Sequence, residues 1–168
     1  MVKAFVGLGS NQGDGRRNLL TAWEMLGRVS GIVCRRISNP YLTEPVGLET
    51  AQWFTNAVGE LDTTLQPADI LRELLRIEAV LGRDRSQGLD RVIDLDLLYY
   101  GEVILNESEL IVPHPEIQNR LFVLLPLKEL ALDFPHPVFR KTTGQMLDEL
   151  AAKHDARRQS WQEDKEGI

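Results

Sequence analysis

The chain carries one cysteine, Cys34, in 168 residues. A lone thiol excludes an internal disulfide framework and fits a reducing compartment. Long apolar runs are missing as well: none reaches the roughly 20 residues that a membrane-spanning helix needs, and Met1 to Gly7 is too short for a secretory signal. No Gly-Lys-Ser or Gly-Lys-Thr sequence occurs, which excludes a Walker-type phosphate loop. Repeats, low-complexity segments and linkers are absent. A basic surplus is absent too, since the formal charge is -6; that argues against general nucleic-acid binding and leaves room for a local basic pocket. The expectation is a soluble, cytoplasmic, monomeric protein with neither a membrane nor a nucleic-acid partner. Its 43% hydrophobic residues suffice to fill the core of one domain over residues 1–168, with a charged tail at 155–168 that frays.

What is present reads as alternating strands and helices. Val2 to Leu8 forms a buried strand ending at Gly9-Ser10-Asn11, and a helical pattern follows with Leu19, Leu20, Trp23 and Leu26 inward and Gly27 as its stop. Strand, glycines and helix invite a dinucleotide-binding reading. Gln12 stands where that fingerprint needs its third glycine, however, and no second parallel strand with a ribose-binding acid follows. Ile32 to Tyr41 and Trp53 to Leu61 read as strands, separated by a turn-rich loop from Thr43 to Thr50. On the latter strand Phe54, Asn56 and Val58 share a face. The ring suits a core, whereas a buried amide needs partners that a heterocycle could supply.

Pro67 opens a helix with Ile70, Leu74, Ile77 and Leu81 in one stripe and Gly82 as its stop. Beyond Tyr100, Val103 to Leu105 reads as a short strand, and Leu121 starts an apolar helix with Phe122, Leu125 and Leu130 toward the core. Two Pro-His-Pro triplets, around His114 and His136, have rigid backbones that suit a fixed ligand contact or a plain turn. The order strand, helix, strand, strand, helix, strand is that of a ferredoxin-like α+β sandwich: a mainly antiparallel sheet with helices on one face and C-terminal additions.

The stretch from Arg91 to Tyr100 departs from ordinary strand chemistry. The period of two puts Asp94 and Asp96 on one face, with Ile93, Leu95, Leu97 and Tyr99 on the other. Two residues advance about 6.5–7 Å, so the carboxylates stand side by side and repel unless a cation intervenes. Magnesium, commonly held by one or two carboxylates plus substrate phosphates, suits the pair; a solvated strand face accommodates them as well. Arg83, Arg85 and Arg91 bracket the loop that feeds this strand. Guanidinium forks beside metal-binding acids are what a polyphosphate requires.

Taken in order, these segments resemble the 6-hydroxymethyl-7,8-dihydropterin pyrophosphokinase family. The resemblance runs from Gly9-Ser10-Asn11 through Tyr41 to Gly47, Phe54-Thr55-Asn56-Ala57, Arg76-Ile77-Glu78, Gly82-Arg83-Asp84-Arg85, Arg91 to Leu98 and Val112-Pro113-His114-Pro115 to Asn119-Arg120-Leu121-Phe122. It implies transfer of the β,γ-diphosphate of ATP to the hydroxymethyl oxygen of the pterin, releasing AMP, with two magnesium ions on Asp94 and Asp96. It further implies that the pterin stacks between Phe54 and Phe122, its edge read by Asn56 and by the chain at Thr43, Glu44, Pro45 and Val46. Arg83, Arg91 and Arg120 match positions on the triphosphate, the first two in a catalytic role, and Arg85, Leu97, His114 and Pro115 match the nucleotide pocket. Two other readings use the same residues: a magnesium-dependent phosphohydrolase or transferase acting on another nucleotide, and a ligand-binding module without chemistry.

The chain departs from the family's pattern at Gly88-Leu89-Asp90, where a tryptophan and a Gly-Pro pair are usual, and at Leu75, where a glutamine is common. Asp90 adds negative charge close to the expected phosphates. Replacing Asp90 by proline is therefore expected to tighten ATP binding in calorimetry; unchanged or weaker binding would contradict that reading of the charge.

Overall fold

The sheet grows outward from β1 (Val2–Ser10), which pairs antiparallel on both sides, with β4 (Phe54–Thr63) and with β5 (Asp94–Tyr100). The computed structural model describes residues 1–43, 53–82, 92–150 and 161, and the backbone of 156–158. On the far edge of β4 lie two strands in sequence, β2 (Ile32–Ile37) and β3 (Tyr41–Thr43). The expected single strand from Ile32 to Tyr41 is thus broken at Ser38-Asn39-Pro40. Pro40 has no N–H to give to a ladder, and Ser38 Oγ takes over by accepting the Val58 N–H at 3.0 Å. With α1 (Gly15–Gly27) after β1 and α2 (Pro67–Val80) after β4, the strand order β5-β1-β4-β2/β3 is the ferredoxin-like arrangement.

Both helices end where their chemistry places the boundaries. Asp14 caps α1, its carboxylate accepting the Arg17 N–H at 3.2 Å, and Pro67 begins α2 at a position whose N–H would have no helical partner. Gly82, at φ +94°, turns the chain away after α2. The two helices pack on one face of the sheet. Leu19, Ala22, Leu26, Ile70, Leu74 and Ile77 join Ala4, Val6, Leu8, Ala57, Leu61, Ile93, Leu95 and Leu97 in a closed apolar layer. Trp23 lies across Gly59 of β4, so closely that a Cβ there would clash with the indole, 2.6 Å from Cη2.

The opposite face is covered at one end. Short strands β6 (Leu105–Asn106) and β7 (Ile111–Val112) pair as a hairpin that shares only Leu105 with the expected strand at Val103 to Leu105 and packs Val112 into the α1/α2 layer. The chain then makes a 3-10 turn at Ile117–Asn119 and enters α3 (Leu121–Ala131) and α4 (Thr143–Glu149). Leu121, Val123, Leu124, Leu127 and Ala131 are buried, and Leu124, Leu127 and Ala131 close a second layer with Phe5, Val58, Leu98 and Tyr99. Phe122 and Leu130 pack against that layer as expected. Leu125 does not join it, because Leu124 and Leu127 already occupy the stripe facing the sheet and Leu125 is turned about 100° from Leu124.

Tyr99 likewise departs from simple alternation. Val6 pairs with Leu97 but Phe5 pairs with Tyr99, so Leu98 is an extra residue in β5 and Tyr99 changes to the face of Phe5. There it joins Phe134 at a ring separation of 4.7 Å and His136 at 5.7 Å. His136, from the second Pro-His-Pro triplet, is buried and stacked on Phe139 at 4.5 Å, its Nδ1 accepting the N–H groups of Val138 and Phe139. Burial lowers its pKa below the usual histidine value. Part of the tail also has a place: β8 (Ala156–Arg158) pairs with β3, and Trp161 Nε1 donates to the Ser38 carbonyl at 3.0 Å. Among the described residues, no helix is long and apolar enough to cross a membrane.

Gly59→Ala should lower the unfolding free energy by about 1–3 kcal/mol, the usual cost of forcing extra volume into a packed layer. Denaturant titration reads this directly. Parent-like stability would show that Trp23 yields its place without cost.

Candidate functional site

The register of β1 assembles the site. Gly9 lies opposite Asp94 on one side and Asn56 on the other, and Asn56 lies opposite Tyr41. One register step along, Gly7 lies between Asp96 and Val58. Directly paired residues share a face, so Asp94, Asp96 and Asn56 stand on the face opposite α1 and α2, beyond the part that α3 covers. Two strand spacings, about 10 Å, separate the acids of β5 from the amide of β4, and only glycines intervene on β1. Any larger residue at these positions would stand up from the floor of the trough.

Glycine is required at position 9 for a further reason. A Cβ there would meet Asn56 Oδ1 at 2.8 Å, so the bare backbone lets the amide lie across β1. The other end of that amide is held. Asn56 Nδ2 donates to Thr43 Oγ1 at 2.9 Å, with both residues more than nine-tenths buried. Phe54 and Thr43 are register partners one step further, and Phe54 is half-buried.

The chain after β7 adds the remaining described groups. Val112-Pro113 is a cis peptide, and the His114 N–H donates to the Leu98 carbonyl at 2.9 Å, tying this turn to β5. His114 Nδ1 accepts the Glu116 N–H at 3.1 Å, so in neutral imidazole the proton lies on Nε2. Burial first, and then the Arg120 guanidinium, lower the His114 pKa, against opposing pulls from Glu116 and Asp94. His114, Arg120 and Asp94 therefore share one electrostatic neighbourhood. Arg120 also sits over the Phe122 ring, 5.6 Å from its centroid, as the chain enters α3.

Of the residues singled out in the sequence, Asp94, Asp96, Asn56, Thr43, Phe54, His114, Arg120 and Phe122 are placed on or around this open part of the sheet. Pro115 is exposed beside His114. Leu97 differs, because its side chain is buried in the α1/α2 layer; its main chain lies on β5, a strand that pairs with β1 alone among the described residues. Glu44, Pro45, Val46, Arg83, Arg85, Asp90 and Arg91 lie outside the described residues. Gly7 and Gly9 drew no functional reading as side chains, although glycine inside a strand is itself a signal of close approach.

Asp94 and Asp96 are the candidate metal ligands. Both are half-buried, and among the described residues no group of three or more His, Cys, Asp or Glu side chains gathers to form a closed cage. Two hard carboxylates on an accessible face fit magnesium, which keeps positions for water and substrate oxygen.

A family model described as 7,8-dihydro-6-hydroxymethylpterin-pyrophosphokinase matches residues 5–132. The chain is 42% identical over 156 residues to the 2-amino-4-hydroxy-6-hydroxymethyldihydropteridine pyrophosphokinase of Methylorubrum extorquens, covering 92% of this chain and 95% of that protein. It is 39% identical over 153 residues to the folic acid synthesis protein fol1 of Pneumocystis carinii; the match covers 90% of this chain and spans 20% of that longer protein. Among solved structures, an HPPK-DHPS in complex with substrates shares the fold, with a TM-score of 0.71 at 13% identity. That match covers 88% of this chain and 43% of the other.

Gly9→Ala should push the Asn56 amide off Thr43. The expected result is a displaced pair of Asn56 side-chain NH₂ resonances and a loss of about 1–3 kcal/mol in unfolding free energy. An unmoved amide signal would show that the close approach over β1 is not what holds Asn56.

Proposed function

The chain belongs to the 7,8-dihydro-6-hydroxymethylpterin-pyrophosphokinase family, and from that premise we propose that it transfers the β,γ-diphosphate of ATP to the hydroxymethyl oxygen of 6-hydroxymethyl-7,8-dihydropterin, giving AMP and the pterin diphosphate for folate biosynthesis. The observation that carries this reading is the glycine-floored trough, with an acid pair on β5 and a buried amide on β4 about 10 Å apart. That span suits an acceptor read at one end and a phosphate chain held at the other.

Asp94 and Asp96 would hold magnesium, two ions in our reading, and bound magnesium would supply charge compensation on the phosphate oxygens. The chain's own groups do the rest. Asn56, its Nδ2 anchored on Thr43, offers Oδ1 toward the trough as an acceptor for a ring N–H of the pterin. Phe54 and Phe122 supply flat apolar surfaces for a heterocycle, and Glu44, Pro45 and Val46 would add the edge contacts that the family resemblance implies.

Arg120 brings a guanidinium toward the phosphates, with Arg83 and Arg91 as its expected counterparts and Arg85 in the nucleotide pocket. Neutral His114 presents an Nε2–H donor to the nucleotide beside Pro115, and Leu97 offers main-chain groups from the same strand. Holding the hydroxyl and the phosphorus in line within a charge-compensated cleft accounts for the chemistry without a covalent intermediate.

The test is AMP formation by the purified protein from ATP and magnesium, with and without the reduced pterin. AMP release should depend on the pterin and vanish with EDTA. Asp94→Ala or Asp96→Ala should lower turnover by about 10²-fold or more, the scale of losing a charge-stabilising group. Release independent of pterin would point to a phosphohydrolase acting on another substrate, and near-normal turnover in either variant would overturn the metal assignment.

A further inference from the structure

We propose that Glu78, on the last turn of α2, is a positioning residue for the Asp94/Asp96 pair; the inference rests on the reading of those acids as magnesium ligands. Glu78 is 4% exposed, and its Oε2 accepts the Leu95 N–H at 2.8 Å. Leu95 stands between the two acids, so the peptide that joins it to Asp94 is gripped from the helix side.

The need for such a grip follows from topology. Among the described residues, β5 pairs with β1 and has no strand on its other side. Asp94 and Asp96 lie opposite Gly9 and Gly7, whereas the Leu95 N–H is directed away from β1, where no ladder can receive it. A buried N–H without an acceptor is costly, and β5 is bonded on that side elsewhere only at its far end, where the Leu98 carbonyl accepts the His114 N–H, so the stretch carrying the acids could otherwise rotate about its own axis. Rotation of a few tens of degrees would carry both carboxylates away from a shared cation. Bonding Leu95 to α2 pins the strand from the side that β1 cannot reach.

The residue type is informative. A carboxylate in the last turn of a helix opposes the helix dipole, and burial raises its cost. Outer-shell anions deepen the potential at metal ligands as well as orienting them, and Glu78 is bonded to the peptide that joins Asp94 to Leu95.

The experiment compares the parent with E78A and E78Q. It measures binding of magnesium alone and of magnesium with a non-hydrolysable ATP analogue by calorimetry, pterin binding by fluorescence, and exchange of the Leu95 amide by NMR. E78A should exchange the Leu95 amide faster and lose roughly 10–100-fold in magnesium affinity, the usual range for an outer-shell partner. Pterin affinity, set on β3 and β4, should stay close to the parent's. E78Q keeps an acceptor and should recover the amide protection and part of the magnesium affinity.

Parent-like magnesium binding by E78A would overturn the proposal. So would equal losses of magnesium and pterin binding, which would mark a purely structural role. If the parent binds magnesium but forms no AMP with pterin, the proposed reaction fails while the Glu78 comparison still stands.

Discussion

The structure depends on β1 being paired along both edges. A strand hydrogen-bonded on each side cannot slip in register without turning its buried face to water, so the positions of its neighbours follow from its own sequence. Because β5 lies on one side and β4 on the other, groups from four separate stretches of the chain come to stand in one row: Asp94, Gly9, Asn56 and Tyr41. β1 contributes no side chain to the middle of that row. Its contribution is the absence of one, which opens a trough between the acids and the amide. The missing Cβ of Gly9 is the space that the Asn56 amide takes up.

The two faces of the sheet divide the work. On one, α1 and α2 close an unbroken apolar layer, and the alternation of Ala4, Val6 and Leu8 is uninterrupted. On the other, α3 and α4 cover the end of the sheet at Phe5, Val58, Leu98 and Tyr99 and leave the end at Gly9, Asn56 and Asp94. The bulge at Leu98 lies at this boundary. It turns Tyr99 toward the α3 layer, while Asp94 and Asp96 remain in phase with the glycines. Glu129 fastens the cover by accepting from the Asn39 N–H, the Asn39 amide and the Tyr41 hydroxyl, which ties α3 to the break between β2 and β3.

Much of this was legible in the sequence where one periodicity ran undisturbed. The α2 stripe of Ile70, Leu74 and Ile77, the same-face placement of Asp94 and Asp96, and the element order of the ferredoxin-like sandwich all follow from spacing. The misreadings fall where a single residue interrupts a period. Pro40 divides one expected strand into two, and the extra residue at Leu98 turns Tyr99. Leu125 reads as a core residue because an apolar helix carries no contrast from which to read its buried stripe. Site residues were recoverable as chemical types, acids, arginines and an amide. Their convergence was not, since the row through Gly9 is a property of strand pairing and no local pattern encodes which strands pair. The role of Glu78 shows the same limit: a glutamate one residue past a buried isoleucine looks solvated until β5 is laid beside α2.

The two Pro-His-Pro triplets make the argument sharper. Both histidines direct Nδ1 at the N–H two residues on, His114 at Glu116 and His136 at Val138, so the flanking prolines produce one local geometry twice. Burial lowers the pKa of both. What differs is what faces each ring. His136 is met by Tyr99 and Phe139 and serves the aromatic layer, whereas His114 lies within the influence of Asp94 and Arg120. The distinction comes from the N–H of His114 bonding the Leu98 carbonyl, which docks its turn on the free side of β5. A rigid turn supplies a fixed imidazole, and the strand it docks on decides whether that imidazole packs a core or meets a ligand.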